Sequence, residues 1–209
     1  MKPTIIINLK TYKQGRQVLK LAKAIEKVDK QIIVGVQASD IAELTSKTKL
    51  QIYAQHTDFQ KPGRQTGLIL PEAIKADKAK GTFLNHSEHK LSPAVLKKTI
   101  QRCKKLKLKT IVFASSLSEA KKIKKLKPDY LVFEPPELVA GKISVSKAKP
   151  ELIAKIAKKL KTKFIVGAGI HSHEDLTTAL KLGASGIALS SAITKAKNPE
   201  KKLRKLLKN

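Results

Sequence analysis

The stretch TIVFASSLSEAKKIKKLKPDYLVFE, residues 110–134, contains two short apolar runs separated by a segment with helical periodicity. The runs Thr110 to Ala114 and Tyr130 to Glu134 are rich in β-branched and aromatic residues, which favours β-strands. Between them, Ser118 before Glu119 predicts the start of a helix. A strand, a helix and a second strand in this order are typical of a parallel βαβ unit.

The same alternation extends along the whole chain. Helical segments are predicted at 13–28, 39–47, 71–79, 92–106, 116–126, 146–160, 172–182 and 198–208, and the other strands at Thr4 to Asn8, Gln31 to Val36, Gln51 to Gln55, Thr82 to His86, Phe164 to Gly167 and Gly186 to Leu189. No Pro- or Gly-rich linker separates these units, so we predict one compact α/β domain, a (β/α)₈ barrel over residues 1–209. A doubly wound open sheet is the alternative, but the fingerprint GxGxxG is missing after the first strand.

The composition restricts the class of protein. Hydrophobic residues make up 41% of the 209 residues, which is ordinary for a globular domain. The single cysteine, Cys103, excludes an internal disulfide and suits a reducing compartment. The longest apolar runs are far below the roughly 18 residues of a membrane helix. We therefore expect a cytoplasmic protein with no membrane segment.

The net charge of +28 is unusual, because 44 Lys and Arg face only 16 Asp and Glu. Such an excess attracts polyanions through counterion release, so nonspecific polyanion binding is expected. The lysines nevertheless recur along every predicted helix opposite apolar residues, which indicates solvated outer faces. Arginines, which read base edges, number only four, and the phenylalanines lie mostly inside predicted strands, which argues against dedicated nucleic-acid binding.

Polar residues stand where several predicted strands end. Barrel enzymes place their chemistry at the C-terminal ends of the strands. Here the first strand ends in Asn8 and Lys10, the fourth in His86 and the sixth in Glu134. A carboxylate that closes the apolar run YLVF is a candidate general base. Taken singly, the other three fit an exposed lysine, a turn-forming asparagine and a hydrogen-bonded histidine at a loop start.

Small residues follow the last two predicted strands, in GAGI at 167–170 and LSSA at 189–192. Glycines after strand seven and small residues after strand eight are typical of a phosphate cradle built from backbone N–H groups. Read alone, Gly167 and Gly169 are turn residues. Together with the cation and the carboxylate, they indicate a small phosphorylated substrate and a proton transfer.

Eight segments resemble the triosephosphate isomerase family in its short archaeal form, in the same order: INLKTY, AQHTD, QTGLILPEA, NHSEH, EPPEL, VSKAKPE, GAGI and KAKNPE. The resemblance spans essentially the whole chain. It implies a cofactor-free isomerase that interconverts dihydroxyacetone phosphate and D-glyceraldehyde 3-phosphate.

The resemblance also implies roles for single residues. Glu134 corresponds to the catalytic base, His86 to a neutral electrophile and Lys10 to the cation near the substrate oxygens. Asn8 is the neighbour of Lys10 in the first-strand motif, and Glu88 is the partner of Lys10. Phosphate binding is assigned to backbone amides near the following residues: Val139, Ala140, Gly169, Ser190 and Ser191.

Two loops carry further expectations from the resemblance. A mobile lid would run from Pro135 to about Ser144, and it departs from the family's usual glycine-threonine-glycine because Ala140, Gly141 and Lys142 stand there. The polar loop at 58–67, with Thr66, would reach into a neighbouring subunit. A homo-oligomer, a dimer or a tetramer, is therefore expected.

Other functions stay open at this point. Another phosphate-handling barrel isomerase or an aldolase is one alternative, although a Schiff-base aldolase needs a strand lysine and only Lys10 is available. A polycationic nucleic-acid-binding barrel with weak catalysis is another. His171 and His173 form an HxH pair, but no cysteine or third histidine is near in sequence, so no metal is expected. His89 is expected at a surface position on the helix that follows.

Overall fold

The computed structural model describes residues 2–135 and 150–208. Eight parallel strands close into a barrel in which each strand pairs with the next and the last pairs with the first. The predicted barrel is confirmed, and pairing of the first strand with the last excludes the open sheet. The strands are β1 (Thr4–Asn8), β2 (Ile33–Val36), β3 (Gln51–Ala54), β4 (Gly81–Leu84), β5 (Lys109–Ala114), β6 (Tyr130–Phe133), β7 (Ile165–Val166) and β8 (Gly186–Leu189).

Helices surround the barrel. In the described residues they are α1 (Arg16–Glu26), α2 (Ile41–Lys47), α3 (Pro71–Ala76), α4 (Pro93–Lys105), α5 (Leu117–Lys125), α6 (Pro150–Leu160), α7 (His173–Lys181), α8 (Ser191–Thr194) and α9 (Pro199–Leu207), with a 3₁₀ turn at Ala38–Asp40 before α2. Helix α8 was not predicted, because four residues are too short to show a helical period.

The helix starts test the predicted capping residues. Ser92 accepts a hydrogen bond from the Val95 N–H at the start of α4. The predicted capping residue of α5 is wrong, because Ser116 and not Ser118 accepts from the Glu119 N–H, but the helix lies within the predicted segment 116–126. The serine three residues before the glutamate has the spacing that a side-chain cap requires.

Two layers of apolar side chains form the core. One fills the space between strands and helices, and the other fills the barrel interior with residues such as Ile6, Phe83 and Phe113. Strands buried on both faces give the near-continuous apolar runs seen in the sequence. Gly35 makes room inside the barrel, since a Cβ there would lie 2.0 Å from the Phe83 ring. The interior is therefore packed, and any ligand must bind at its mouth.

Two further features concern the single cysteine and the length of the helices. The thiol of Cys103 is buried in α4, and this burial raises its pKa to about 12, so the group is unreactive at neutral pH. Among residues 2–135 and 150–208, no helix is long and apolar enough to cross a membrane.

Candidate active site

A cavity opens at the C-terminal ends of the strands. Its lining includes most of the site residues predicted from the sequence, namely Asn8, Lys10, His86, Glu134, Gly169, Ser190 and Ser191. Glu88 lies at its edge through an ion pair with Lys10. Val139 and Ala140 lie outside the described residues, as does the expected lid apart from Pro135, which is buried.

His86 lies just beyond β4 and its ring is held in one orientation. The Glu88 N–H donates to Nδ1 at 3.1 Å, and the His89 N–H donates to the His86 carbonyl at 2.9 Å, which closes a tight turn. Because Nδ1 accepts a hydrogen bond, a neutral ring carries its proton on Nε2. The ring also packs edge-on against Phe113, with centroids 4.9 Å apart. His86 is therefore oriented to donate from Nε2 into the cavity.

Glu134 follows β6 and faces His86. Its Oε2 lies 3.1 Å from His86 Nε2, and only 11% of the Glu134 side chain is exposed. The two atoms are close without hydrogen-bond geometry, so this buried oxygen has no hydrogen-bond partner within the described part of the chain. A buried carboxylate oxygen that is not satisfied by the protein is available to accept a proton from a ligand.

Gly167 makes room for the Glu134 carboxylate. A Cβ added at Gly167, at the end of β7, would lie 2.4 Å from Glu134 Oε1. No real Cβ tolerates that distance, so any larger residue would displace the carboxylate. Gly167, the first glycine of the GAGI motif, is thus required because a side chain there would occupy the space of the Glu134 carboxylate.

Lys10 adopts a left-handed backbone conformation, with φ 49°, which costs a residue with a Cβ roughly 1–2 kcal/mol. Hydrogen bonds hold it there: the Lys10 N–H donates to Asn8 Oδ1 at 3.0 Å, and Gln55 Nε2 donates to the Lys10 carbonyl at 2.9 Å. Gln55 Nε2 also lies 3.2 Å from Asn8 Oδ1. Such over-determined strain is typical of functional sites.

The Lys10 ammonium is held in position by an ion pair with Glu88. Its Nζ lies 2.5 Å from Glu88 Oε1, and the Lys10 side chain is 13% exposed while that of Glu88 is 57% exposed. The predicted pairing is confirmed. The carboxylate compensates a largely buried cation from the solvent side, which reduces the cost of desolvating the lysine.

Gln55 is a residue of this cavity region that sequence reasoning missed, and it contacts Asn8 and Lys10 directly. It was predicted only as the last residue of the third strand. The signal available was its position, because a polar residue directly after the buried strand β3 lies at the same end of the barrel as Asn8. Its three acceptors include the Gly35 carbonyl at 3.2 Å, so one amide links the ends of β1, β2 and β3.

Ala168 and Gly169 form the turn after β7, and both have positive φ, 78° and 66°. On the adjacent wall, Ser190 precedes α8, and its buried Oγ has no hydrogen-bond partner among residues 2–135 and 150–208. The Ile193 and Thr194 N–H groups donate back to the Ser190 carbonyl. Ser191 and Ala192 line the cavity. They stand at the start of α8, where backbone N–H groups have no partner within the helix.

A second network supports the turn that contains His86. Asn85 has φ 61°; its Nδ2 donates to the Phe113 carbonyl at 2.9 Å and to Glu119 Oε1 at 2.8 Å. Burial alone would raise the pKa of Glu119, but hydrogen bonds from the Ser115 N–H, Lys90 and Asn85 hold this pKa below its usual value. Helix α5 thus holds the β4 turn in place through one ionised carboxylate.

The remaining histidines take separate positions. His171 lines the cavity, and His173 Nδ1 lies 3.0 Å from the Leu206 carbonyl of α9. His89 lies in the turn before α4 and not on that helix, and its ring stacks on His56 with centroids 4.2 Å apart. Burial lowers the pKa of His56 despite its contact with Asp58. The described residues contain no group of three His, Cys, Asp or Glu side chains arranged to hold a metal.

The loop at 58–67 leaves the barrel on the same side as the cavity. Its base is closed by the Asp58 N–H, which donates to the Ile69 carbonyl at 2.8 Å, and by the Ile69 N–H, which donates to Asp58 Oδ2 at 2.8 Å. Thr66 is exposed.

The Glu119 network predicts an acid-sensitive contribution to stability. A carboxyl whose folded-state pKa is depressed stabilises the fold above its unfolded pKa, and this stability is lost as the pH falls through the folded pKa. We expect Glu119→Gln to lower the thermal midpoint at pH 7, with a difference from the parent protein that shrinks between about pH 5 and pH 3. Circular dichroism melts over this range measure it.

Glu43→Gln is the matched control, because Glu43 pairs with Lys47 on the exposed face of one helix. It should change the midpoint little at any pH. A Glu119→Gln effect that stays constant down to pH 3 would contradict the assigned ionised state.

Comparisons with known proteins agree with this geometry. A family model described as triosephosphate isomerase matches residues 3–208. The triosephosphate isomerase of Methanocaldococcus jannaschii is 42% identical over 215 residues, covering 98% of each chain. Those of Saccharolobus solfataricus and Sulfolobus acidocaldarius are 43% and 40% identical, covering 95% and 99% of this chain and 92% and 94% of their own lengths.

Proposed function

Because the chain belongs to the triosephosphate isomerase family, we propose that it interconverts dihydroxyacetone phosphate and D-glyceraldehyde 3-phosphate. The observation that carries this proposal is the pair formed by Glu134 and His86. A buried carboxylate oxygen, to which no described residue donates a hydrogen bond, lies 3.1 Å from an imidazole nitrogen that is held as a donor. A base beside a donor is the arrangement that proton transfer next to a carbonyl requires.

In the proposed mechanism Glu134 removes a proton from the carbon beside the substrate carbonyl. The electron pair of that C–H bond forms the enediolate, and the negative charge develops on the carbonyl oxygen. His86 Nε2–H donates to this oxygen, and the Lys10 ammonium stabilises its charge. His86 Nε2 passes its proton to this oxygen and takes up the hydroxyl proton of the carbon that was deprotonated, so the carbonyl group moves to that carbon. Glu134 then returns its proton to the former carbonyl carbon, which completes the isomerisation. Every proton in this cycle is handled by the chain's own side chains, so no cofactor is needed.

Asn8 and Glu88 act through Lys10 in this scheme. Asn8 holds the Lys10 backbone, and Glu88 holds its ammonium. Since this ion pair engages Lys10 Nζ, the lysine is not free to act as the nucleophile of a Schiff-base aldolase. The arrangement therefore favours the isomerase over the aldolase.

The substrate phosphate is proposed to bind at the wall formed by Gly169, Ser190 and Ser191. Backbone N–H groups at the start of α8 and in the turn after β7 can surround a dianion. Val139 and Ala140 would complete this shell, and the lid from Pro135 to about Ser144 would exclude water during the reaction. Exclusion of water protects the enediolate from loss of phosphate. We place this activity in glycolysis and gluconeogenesis in the cytoplasm.

The base assignment predicts a specific loss of activity. Glu134→Gln keeps the size of the side chain but removes the proton acceptor, so kcat should fall by about 10²–10⁴-fold. A coupled triose phosphate assay measures this loss. Glu134→Asp, which retains a shorter carboxylate, should keep more activity than Glu134→Gln. Turnover within tenfold of the parent in a folded Glu134→Gln protein would remove Glu134 as the base.

Gly167→Ala tests the position of the carboxylate. The new Cβ, 2.4 Å from Glu134 Oε1, must displace the base, and a shift of about 1 Å costs on the order of 100-fold in kcat. KM should change much less, because the phosphate wall is left intact.

Gly15→Ala is the control, since a Cβ there meets nothing within 4 Å. With φ 51°, Gly15→Ala should lower the thermal midpoint but leave kcat unchanged. Equal kcat values for the two variants would contradict the proposed contact.

We further propose that the protein is a homo-oligomer, a dimer or a tetramer, and that the loop at 58–67 contacts a neighbouring copy. A second cavity beside the catalytic one, lined in part by Lys10, Gln55 and Glu88, is open to receive such a loop. A net charge of +28 per chain opposes association. This repulsion is screened beyond a Debye length of about 8–10 Å at physiological salt.

Analytical ultracentrifugation of the parent and of Thr66→Arg tests this proposal. We expect the parent to associate more strongly as salt is raised from about 10 mM to 150 mM. Thr66→Arg adds a bulky cation to the exposed loop and should shift the equilibrium toward the monomer at both salt concentrations. A parent that is monomeric at both, with full turnover, would contradict the oligomer.

A further inference from the structure

The face of the barrel opposite the catalytic cavity is strongly cationic. In a (β/α)₈ barrel the segments that join each helix to the next strand lie at the N-terminal ends of the strands. We call this surface the basal face. Ten lysines occupy it, and all are exposed: Lys2, Lys30, Lys49, Lys78, Lys80, Lys107, Lys109, Lys127, Lys161 and Lys163.

Few carboxylates balance these lysines. Three aspartates occupy the same segments, and two of them have polar partners. Asp29 lies 2.7 Å from Lys2 Nζ and accepts from the Gln31 N–H at 2.9 Å. Asp129 Oδ2 accepts from the Thr110 N–H at 2.8 Å and from the Thr110 hydroxyl at 3.1 Å. Asp77 is the third, and the Glu26 carboxylate also reaches this face, where it accepts from the Lys49 N–H, so ten lysines stand against four carboxylates.

The cavity side is more balanced within the described residues. Its loops contain four carboxylates, and two of its lysines are paired, Lys10 with Glu88 and Lys90 with Glu119. The carboxylates are Asp40, Asp58, Glu88 and Glu134, and the cations are Lys10, Lys13, Lys61, Arg64, Lys90, Lys195 and Lys197. Among the described loops, the basal segments therefore carry a larger excess of positive charge than the segments around the catalytic mouth, a feature that the linear spread of lysines along the sequence concealed.

Strand register brings the basal lysines together. Gly81 of β4 pairs with Lys109 of β5, and the Lys109 N–H donates to the Lys80 carbonyl at 3.1 Å, so these two lysines are neighbours. Adjacent strands lie about 4.8 Å apart, and like charges at that separation repel. The fold tolerates this repulsion at the neighbouring starts of β4 and β5.

Four of the lysines also occupy an unfavourable backbone position. Lys78, Lys107, Lys127 and Lys161 follow α3, α4, α5 and α6 with φ between 46° and 64°. Glycine is the usual residue at this left-handed position, and Gly183 takes it after α7 with φ 98°. Backbone preference therefore does not explain the lysines.

Helix capping does not explain them either. The terminal carbonyls of α5 and α6 already accept from other lysines: Lys104 Nζ donates to the Leu126 carbonyl at 2.9 Å, and Lys124 Nζ donates to the Leu160 carbonyl. By contrast, Lys107, Lys127 and Lys161 form no side-chain hydrogen bond or ion pair with any other described residue. Their ammonium groups are directed to solvent.

We propose that the basal face binds the phosphodiester backbone of nucleic acid without reading its sequence. Clustered ammonium groups release condensed counterions when they meet phosphates, which rewards binding to any sequence. The basal segments contain no arginine, the side chain that contacts guanine edges through two hydrogen bonds. A protein partner fits less well, because lysine is depleted in the cores of protein interfaces. This activity is separate from the isomerase site.

The four lysines with left-handed backbone conformation allow a test that does not depend on a destabilised variant. Changing Lys78, Lys107, Lys127 and Lys161 together to Gly removes four charges and relieves four strained positions, so the fold should be retained. The matched control changes Lys20, Lys97, Lys121 and Lys155 to Gln. These four lie on the exposed faces of α1, α4, α5 and α6, so both variants lose the same net charge.

Fluorescence anisotropy with two 20-base-pair DNA duplexes of unrelated sequence, from 50 to 200 mM salt, measures binding. For the parent we expect log Kd to rise linearly with log salt, equally for both duplexes. The glycine variant should bind at least about tenfold more weakly at 100 mM salt, with the slope reduced by about 0.9 for each phosphate that the protein no longer neutralises. The control variant should weaken less than threefold, and triose phosphate turnover should be the same in all three proteins.

Three outcomes would overturn the proposal. Equal weakening in the two variants would show that bulk charge alone binds the duplex. Absence of parent binding at 100 mM salt would show that the basal face is not a site. A preference for one duplex would show base reading, which this surface lacks.

Discussion

Closure of the barrel through the ladder between β1 and β8 is the constraint on which the site depends. This ladder pairs Ile7 with Leu189, so the segment that carries Lys10 leaves the barrel beside the serines at the start of α8. Lys10 and the residues at the start of α8 thereby border one cavity. Because the remaining strands complete the ring in sequence order, His86 and Glu134 reach the same mouth from the other side.

The groups proposed to react are held in place by residues to which the proposed mechanism gives no chemical step. Gln55 fixes the strained backbone of Lys10, Gly167 leaves space for the Glu134 carboxylate, and Asn85 holds the turn before His86. Each of these contacts comes from a different strand end. Preorganised donors in a buried cavity stabilise developing charge without reorganising during the reaction. The rigid barrel thus fixes the positions of the side chains that line the cavity.

Much of this could be read from the sequence. All eight strands were predicted with boundaries within two residues, because strands buried on both faces leave long apolar runs. The position of His86 and Glu134 at the mouth could be predicted because each directly follows such a run. The position of Gln55 after β3 was the one signal available, and its hydrogen bonds could not be predicted because its acceptors lie at least 20 residues away from it in the sequence. The basal lysines were missed as a group, because only closure of the barrel brings the helix ends together.

The central claim is that Glu134 exchanges a proton with the substrate while His86 supports the enediolate. Isomerisation of dihydroxyacetone phosphate in D₂O, followed by nuclear magnetic resonance, tests this most directly. A carboxylate that takes up the proton exchanges it with solvent, so the account predicts deuterium at carbon 2 of the glyceraldehyde 3-phosphate formed. Product that forms at the normal rate without deuterium would indicate direct hydride migration and would contradict the account.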